Sequence, residues 1–259
     1  MKRLATALVL IPTVVWVALY SPYGLWFTVT AAVACLAFAE YRNIAAAHGS
    51  HFPLWASLLA GLAILAAPAN VMAALPAVLA ALALGFAMRS DDLAHALPNS
   101  AGLMLGLFYI FGSWRASLAL GEVNRHWLLF AMALNWVGDI AAYAVGRSIG
   151  KHRLAPVVSP KKSWEGAIAS VAASALFGVI YLGRFLPDVG AFEAIALSAV
   201  ANVAGQLGDL SESALKRGAG MKDSGSTLPG HGGWLDRIDS TLFALPVVFL
   251  WVTLRALGR

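Results

Sequence analysis

The sequence predicts an all-α polytopic integral membrane protein of about nine transmembrane helices. Three observations predict it. Only 12% of the 259 residues are charged while 60% are hydrophobic, and the mean hydropathy is +0.75. Soluble domains carry about 25% charged residues, so a chain this poor in charge could not cover a water-facing surface. Apolar runs near the length of a bilayer's hydrocarbon core follow one another closely. No stretch between them is long or polar enough for a separate soluble domain.

Nine runs are read as spans: 4–20, 24–39, 54–69, 71–88, 101–113, 127–146, 166–183, 192–213 and 238–257. Met1-Lys2-Arg3 before the first run resembles a signal peptide, but the run leaves through Tyr20-Ser21-Pro22-Tyr23 without a small-x-small cleavage site, so a retained span is expected. The third and fourth runs meet in a tight hairpin at Ala69-Asn70. The fifth is short, and Arg115 leaves its end open. The lone cysteine, Cys35, excludes an intrachain disulfide and a cysteine metal site.

Charge placement gives an orientation. With the N-terminus in the cytoplasm, thirteen of the eighteen lysines and arginines fall on that side; the other holds Arg115, Arg125, Arg184, Arg255 and Arg259. The expected location is the bacterial cytoplasmic (inner) membrane, with N-terminus and active site cytoplasmic. The net charge of +5 reads as this asymmetry, and nucleic acid is not an expected partner. Residues 1–125 are expected to be scaffold helices facing lipid. Residues 126–259 are expected to carry the chemistry, within one membrane unit.

Two acids interrupt apolar spans. Asp139 shares a helical face with Asn135 and Tyr143; Asp209 lies in a stripe of Asn202, Gln206, Ser213 and Lys216. A charge at membrane depth costs several kcal/mol, so such a stripe faces a polar cavity or serves as interhelical glue. The connection after the sixth span interleaves bases and hydroxyls, ending in Ser159-Pro160-Lys161-Lys162-Ser163. It reads as an anchor on anionic headgroups or, with hydroxyls beside lysines at a helix start, as a phosphate site. From Gly208 to Ser240 acids, bases and glycines alternate: Asp209, Ser213, Lys216, Arg217, Lys222, Asp223, Gly225, His231, Gly232, Gly233, Asp236, Arg237 and Asp239. Carboxylates gathered with lysines and glycines suit Mg²⁺ with a polyphosphate, because this hard cation is held by one or two carboxylates plus substrate phosphates. Glycines let backbone approach phosphate closely.

The run from Ser213 through Lys216-Arg217, Lys222-Asp223, Gly225, Leu228-Pro229, His231-Gly232-Gly233 and Asp236-Arg237 to Asp239 resembles the signature of the CDP-diacylglycerol synthases, or phosphatidate cytidylyltransferases. Asp139-x3-Tyr143-x2-Gly146-Arg147 and Ser159-Pro160-Lys161-Lys162-Ser163-x-Glu165-Gly166 resemble it too. The second half matches closely and the first half only in hydropathy. Trp234 departs from the aliphatic residue usual there. The resemblance implies CTP and phosphatidate as substrates, CDP-diacylglycerol and pyrophosphate as products, Mg²⁺ as cofactor, a cytoplasm-facing polar cavity and a homodimer.

The chemistry fits these residues. A lipid phosphomonoester is largely dianionic at neutral pH, so no strong base is needed, and the difficulty lies in bringing two polyanions together. Asp209, Asp236 and Asp239 are the leading metal ligands and catalytic acids, followed by Asp223 with its neighbour Lys222. Lys216, Arg217, Lys222 and Arg237 are expected to hold phosphates, Lys222 and Arg237 those of CTP and pyrophosphate, with Ser213 and Asp139 nearby. Ser159, Lys161, Lys162 and Ser163 suit the lipid headgroup or the triphosphate, with the lipid preferred because they adjoin a span at headgroup depth. His231, among glycines, reads as a hydrogen-bonding loop residue before a general base. A second metal or a monovalent cation stays open. The competing readings are another lipid-phosphate or polyprenol transferase, and a cation-coupled transporter using Asp139 and Asp209; against the latter, no inverted repeat is apparent.

Overall fold

A computed structural model of the protein describes residues 2–88, 92–227 and 232–258, with side chains from Ile11 onward. It is helical almost throughout. The elements are α1 (Lys2–Tyr20), α2 (Tyr23–Ala47), α3 (Leu54–Ala66), α4 (Leu75–Ala87), α5 (Ala96–Gly106), α6 (Ser113–Val123), α7 (Arg125–Ile149), β1 (Arg153–Ala155), β2 (Ser159–Ser163), α8 (Trp164–Phe185), α9 (Ala191–Gly218) and α10 (Leu235–Leu257). A π-helical turn over Leu107–Gly112 joins α5 to α6, so Leu93–Val123 forms one long helix.

Among the described residues six helices are long and apolar enough to cross a bilayer: Tyr23–Ala47, Leu93–Val123, Arg125–Ile149, Trp164–Phe185, Ala191–Gly218 and Leu235–Leu257. The chain is an all-α polytopic membrane protein. α3 and α4 are shorter apolar helices, and α1 runs for 19 residues. At 1.5 Å per residue, the 13 residues of α3 and of α4 reach about 20 Å, short of a hydrocarbon core of about 30 Å. Of the nine expected full spans, six are long helices, α1 has 19 residues, and α3 and α4 fall short. Arg115 does not end the fifth span; its guanidinium reaches the carbonyl of Ala67 and the helix runs on to Val123.

Two packed regions share one core. In the first, Phe38 and Tyr41 of α2 pack with Phe52, Ile64, Leu107 and Phe111. In the second, α7, α8, α9 and α10 pack side by side with small residues at their contacts. A Cβ at Gly138 of α7 would lie 2.5 Å from Ser170 Oγ and from Asn202 Nδ2, so glycine there lets α7 approach α8 and α9. Membrane helices associate through such close approach and interhelical hydrogen bonds, since lipid offers no hydrophobic drive between them. Part of the polar stripe serves this purpose. Asn202 donates to Ser170 Oγ (3.1 Å), Gln206 donates to the Ala167 carbonyl (3.2 Å), and Asn135 donates to the Ser240 carbonyl (3.2 Å).

The helix ends form two layers. At one, Arg255 closing α10 binds Glu193 (2.8 Å) and Asp188 (3.0 Å), and Arg125 donates to the carbonyls of Ala18 and Ser21. At the other lie the β hairpin, the C-terminal end of α9 and the start of α10. The hairpin is antiparallel, pairing Arg153 with Ser163 and Ala155 with Ser159. The basic Ser159–Ser163 segment, expected only as a connection, is thus a strand. Ser163 caps α8 by accepting from the Gly166 N–H (3.2 Å), as hydroxyls at helix starts do.

Candidate functional site

Two cavities open at this second layer, and Asp139 of α7 and Asp209 of α9 line both. The first, of about 550 Å³, is walled by four cations: Arg147 at the end of α7, Arg153 of β1, and Lys161 and Lys162 of β2. The strand brings the two lysines to the same cavity as the arginines, with Ser163 and Gln206 beside them. The second, of about 750 Å³, is lined by Lys216, Asp223, Asp236, Arg237 and Asp239. Its far wall is apolar, built from Val14 and Val17 of α1, Val29 and Val33 of α2, and Trp136 of α7.

Asp209 stands at the junction. Its Oδ2 lies 2.5 Å from Lys162 Nζ, and Ser213 Oγ is 3.4 Å from its Oδ1. Asp139 and Asp239 both lie within electrostatic reach of it. Asp239, on the second turn of α10, accepts the Ser240 N–H at 2.7 Å. Three carboxylates near one another, with one lysine among them, leave negative charge that a cation would offset. Among the described residues no three His, Cys, Asp or Glu side chains close into a metal cage. Hard-oxygen donors contributing one or two carboxylates, completed by substrate phosphate, are nevertheless the donor set Mg²⁺ takes; Asp209 and Asp239 fit that pattern.

The other expected residues are placed differently. Lys216 is buried and pairs with both Glu212 and Asp236. Asp236 also accepts the N–H groups of Ser224 (3.0 Å) and Gly233 (2.8 Å) through Oδ2. Lys216 and Asp236, expected to hold phosphate and metal, are thus engaged with each other and with the loop backbone. Asp223 and Arg237 are exposed at the second cavity. Arg217 turns back to the Met221 carbonyl (3.1 Å). Ser159, Ser213, Arg217 and Lys222 line neither of these two cavities. His231, with Leu228 and Pro229, lies outside the described residues, so its expected role has no structural counterpart here.

Two acids escaped the sequence reading. Glu212 sits within the stripe on α9 with its side chain fully buried, and only its pairing with Lys216 accounts for it. Glu40 of α2 lies just past the apolar run, where it reads as an ordinary end-of-span charge. In the structure it is 5% exposed and accepts hydrogen bonds from Ser224 Oγ (2.8 Å), Thr227 Oγ1 (2.8 Å), Trp234 N (3.1 Å) and Leu235 N (2.9 Å). A Cβ on Gly233 would collide with this carboxylate and with Ser224, so the loop's glycine serves close packing around Glu40. An isolated acid in Ala-Phe-Ala-Glu-Tyr was the available signal.

The profile of the cytidylyltransferase family matches residues 1–255. A phosphatidate cytidylyltransferase of Staphylococcus haemolyticus is 38% identical over 157 residues, which are 61% of this chain and 58% of that protein. Proteins of the same name from Staphylococcus saprophyticus and Staphylococcus aureus are 37% and 38% identical over 157 and 159 residues, with the same coverage. The matched stretch thus spans well under two thirds of these relatives' length.

Proposed function

This chain belongs to the cytidylyltransferase family, and we propose that it transfers the cytidylyl group of CTP to phosphatidate. A phosphate oxygen of the lipid forms a bond to the α-phosphorus of CTP. The bond from that phosphorus to the β-phosphate's bridging oxygen breaks, and pyrophosphate leaves with its electron pair. CDP-diacylglycerol is the other product.

The observation that carries this reading is the sharing of Asp139 and Asp209 by a four-cation cavity and a cavity with an apolar wall. A polyanion suits the first and a lipid the second, and the two must react where the cavities meet. Arg147, Arg153, Lys161 and Lys162 then neutralise the triphosphate, holding it in line for attack. Arg237 faces the lipid phosphate, and the α1–α2–α7 wall takes the start of the acyl chains. This reverses the sequence-based preference, which gave Lys161 and Lys162 to the lipid and Arg237 to CTP. The reason is that four cations together match a triphosphate, whereas the apolar surface adjoins Arg237.

Mg²⁺ is proposed as cofactor, with Asp209 and Asp239 as ligands and Asp139 nearby; when bound it offsets charge on the phosphates and on departing pyrophosphate. Lys162, paired with Asp209, is positioned to turn to phosphate. The thirteen-to-five charge asymmetry supports a cytoplasmic site in the bacterial inner membrane. The family resemblance supports a homodimer, checked by mass measurement in detergent.

The test is purified protein in mixed micelles with labelled CTP. With phosphatidate, CDP-diacylglycerol and pyrophosphate should appear in equal amounts and require Mg²⁺. Label appearing only on a polyprenol phosphate, or on no lipid, would overturn the substrate or the reaction.

A further inference from the structure

We propose that Glu40 is a positioning residue that caps α10 from a different helix and so fixes where Asp239 and Arg237 stand in the second cavity. The proposal rests on the role given above to those two groups. The first N–H groups of any helix lack an intrahelical partner. At the start of α10, Trp234 occupies the cap position and offers no side-chain acceptor. Glu40 supplies it: Oε1 accepts the Trp234 N–H and Oε2 the Leu235 N–H. The hydroxyls of Thr227 and Ser224 complete the two oxygens, one each. A carboxylate offers about four lone-pair positions, so this buried group is fully satisfied. Its charge also faces the positive end of the α10 dipole.

Glu40 lines neither cavity and so does not touch substrate. Its effect passes through the helix. Arg237 and Asp239 lie two and four residues beyond Leu235, and each residue turns a helix by about 100°. Whether the first turn of α10 is wound thus decides where both side chains point. Ser224 and Thr227 hang on the same carboxylate, and Asp236 holds the N–H groups of Ser224 and Gly233 together with Lys216. An anchor in the N-terminal scaffold therefore sets the geometry of a site carried by the C-terminal half.

The test compares native protein with Glu40→Gln and Glu40→Asp. Glu40→Gln keeps size but turns an amide N–H₂ towards donors. Amide exchange over Leu235–Ile238 should quicken at least about tenfold, as local opening does, while α7 and α8 stay protected. The Mg²⁺ concentration for half-maximal turnover should rise about 10- to 100-fold, as found when residues that orient a metal site are lost. A merely structural role would lower the amount of active protein without moving that concentration. Glu40→Asp, retaining the charge, should recover part of both effects. Native exchange over Leu235–Ile238, or an unchanged Mg²⁺ requirement, would overturn the proposal. If Glu40→Gln does not accumulate, Glu40→Asp, whose carboxylate is one methylene shorter, must still quicken the same local exchange; native exchange there would overturn it too. Exchange needs no substrate, so native protein that made no CDP-lipid would sink the proposed reaction while this measurement still judged the cap.

Discussion

Lys162 and Asp209 form an ion pair, Nζ to Oδ2 2.5 Å, that ties the basic hairpin to α9 where the two cavities meet. Both side chains are about a third exposed, so the pair adds little to stability and its interest lies in the chemistry. Asp209→Asn and Asp239→Asn should each lower turnover by about 100-fold or more, at or beyond the upper end seen for residues that only support a metal site. The thermal midpoint of Asp209→Asn in detergent should stay near native. Turnover within threefold of native in either variant would remove that acid from the reaction.

The buried Lys216 bridge behaves in the opposite way. Lys216→Met leaves Glu212 and Asp236 without their shared cation, and stranding buried charge costs about 3–5 kcal/mol. Lys222→Ala, at an exposed position, should stay within about 0.5 kcal/mol of native. Chemical unfolding in detergent separates the two; equal stability of Lys216→Met and native protein would show that the bridge is not structural.

Substrate placement can be read from kinetics. A cation that holds one substrate in both ground and transition states raises that substrate's KM when removed. Arg153→Ala and Lys161→Ala should raise the KM for CTP several-fold and leave that for phosphatidate near native. Arg237→Ala should do the reverse. Rates with CTP and lipid mole fraction varied independently decide between this arrangement and its inverse.

Orientation is testable by labelling. Val157, 90% exposed at the hairpin tip, and Asp188, at the α8–α9 connection, lie at opposite ends of α8. Cysteines placed there one at a time in a Cys35→Ala background should react from opposite faces of sealed vesicles, Val157→Cys from the cytoplasmic one. Reaction from the same face would overturn the topology.

The helices that build the site were legible because apolar runs mark them. The runs 166–183 and 238–257 differ from α8 and α10 by at most three residues at any end. Where helices outrun their apolar stretch, as α9 does to Gly218, the added turn carries polar groups such as Lys216 that face other protein groups instead of lipid. Hydropathy cannot see that. It also cannot separate α3 and α4 from full spans, since their composition is right and only their length falls short. Within the site, Asp139 and Asp209 stood out as acids interrupting apolar spans, and Arg237 and Asp239 as charges grouped along the chain. Glu40 did not, because the groups that use it lie 184 to 195 residues away in sequence.

That separation bears on how the protein is made. A ribosome delivers α2 to the membrane long before it delivers the loop that Glu40 holds. Until then this buried carboxylate has none of its four donors, and while the chain is being made it must wait in water or at the lipid headgroups. The site can close only when α10 has been inserted, and a chain that ends before Ser224 leaves Glu40 of α2 without any of its four donors, whereas Asp209 and Glu212 of α9 already have Lys162 and Lys216. Such a fragment keeps an unsatisfied carboxylate at the membrane surface, which sets it apart from the finished protein.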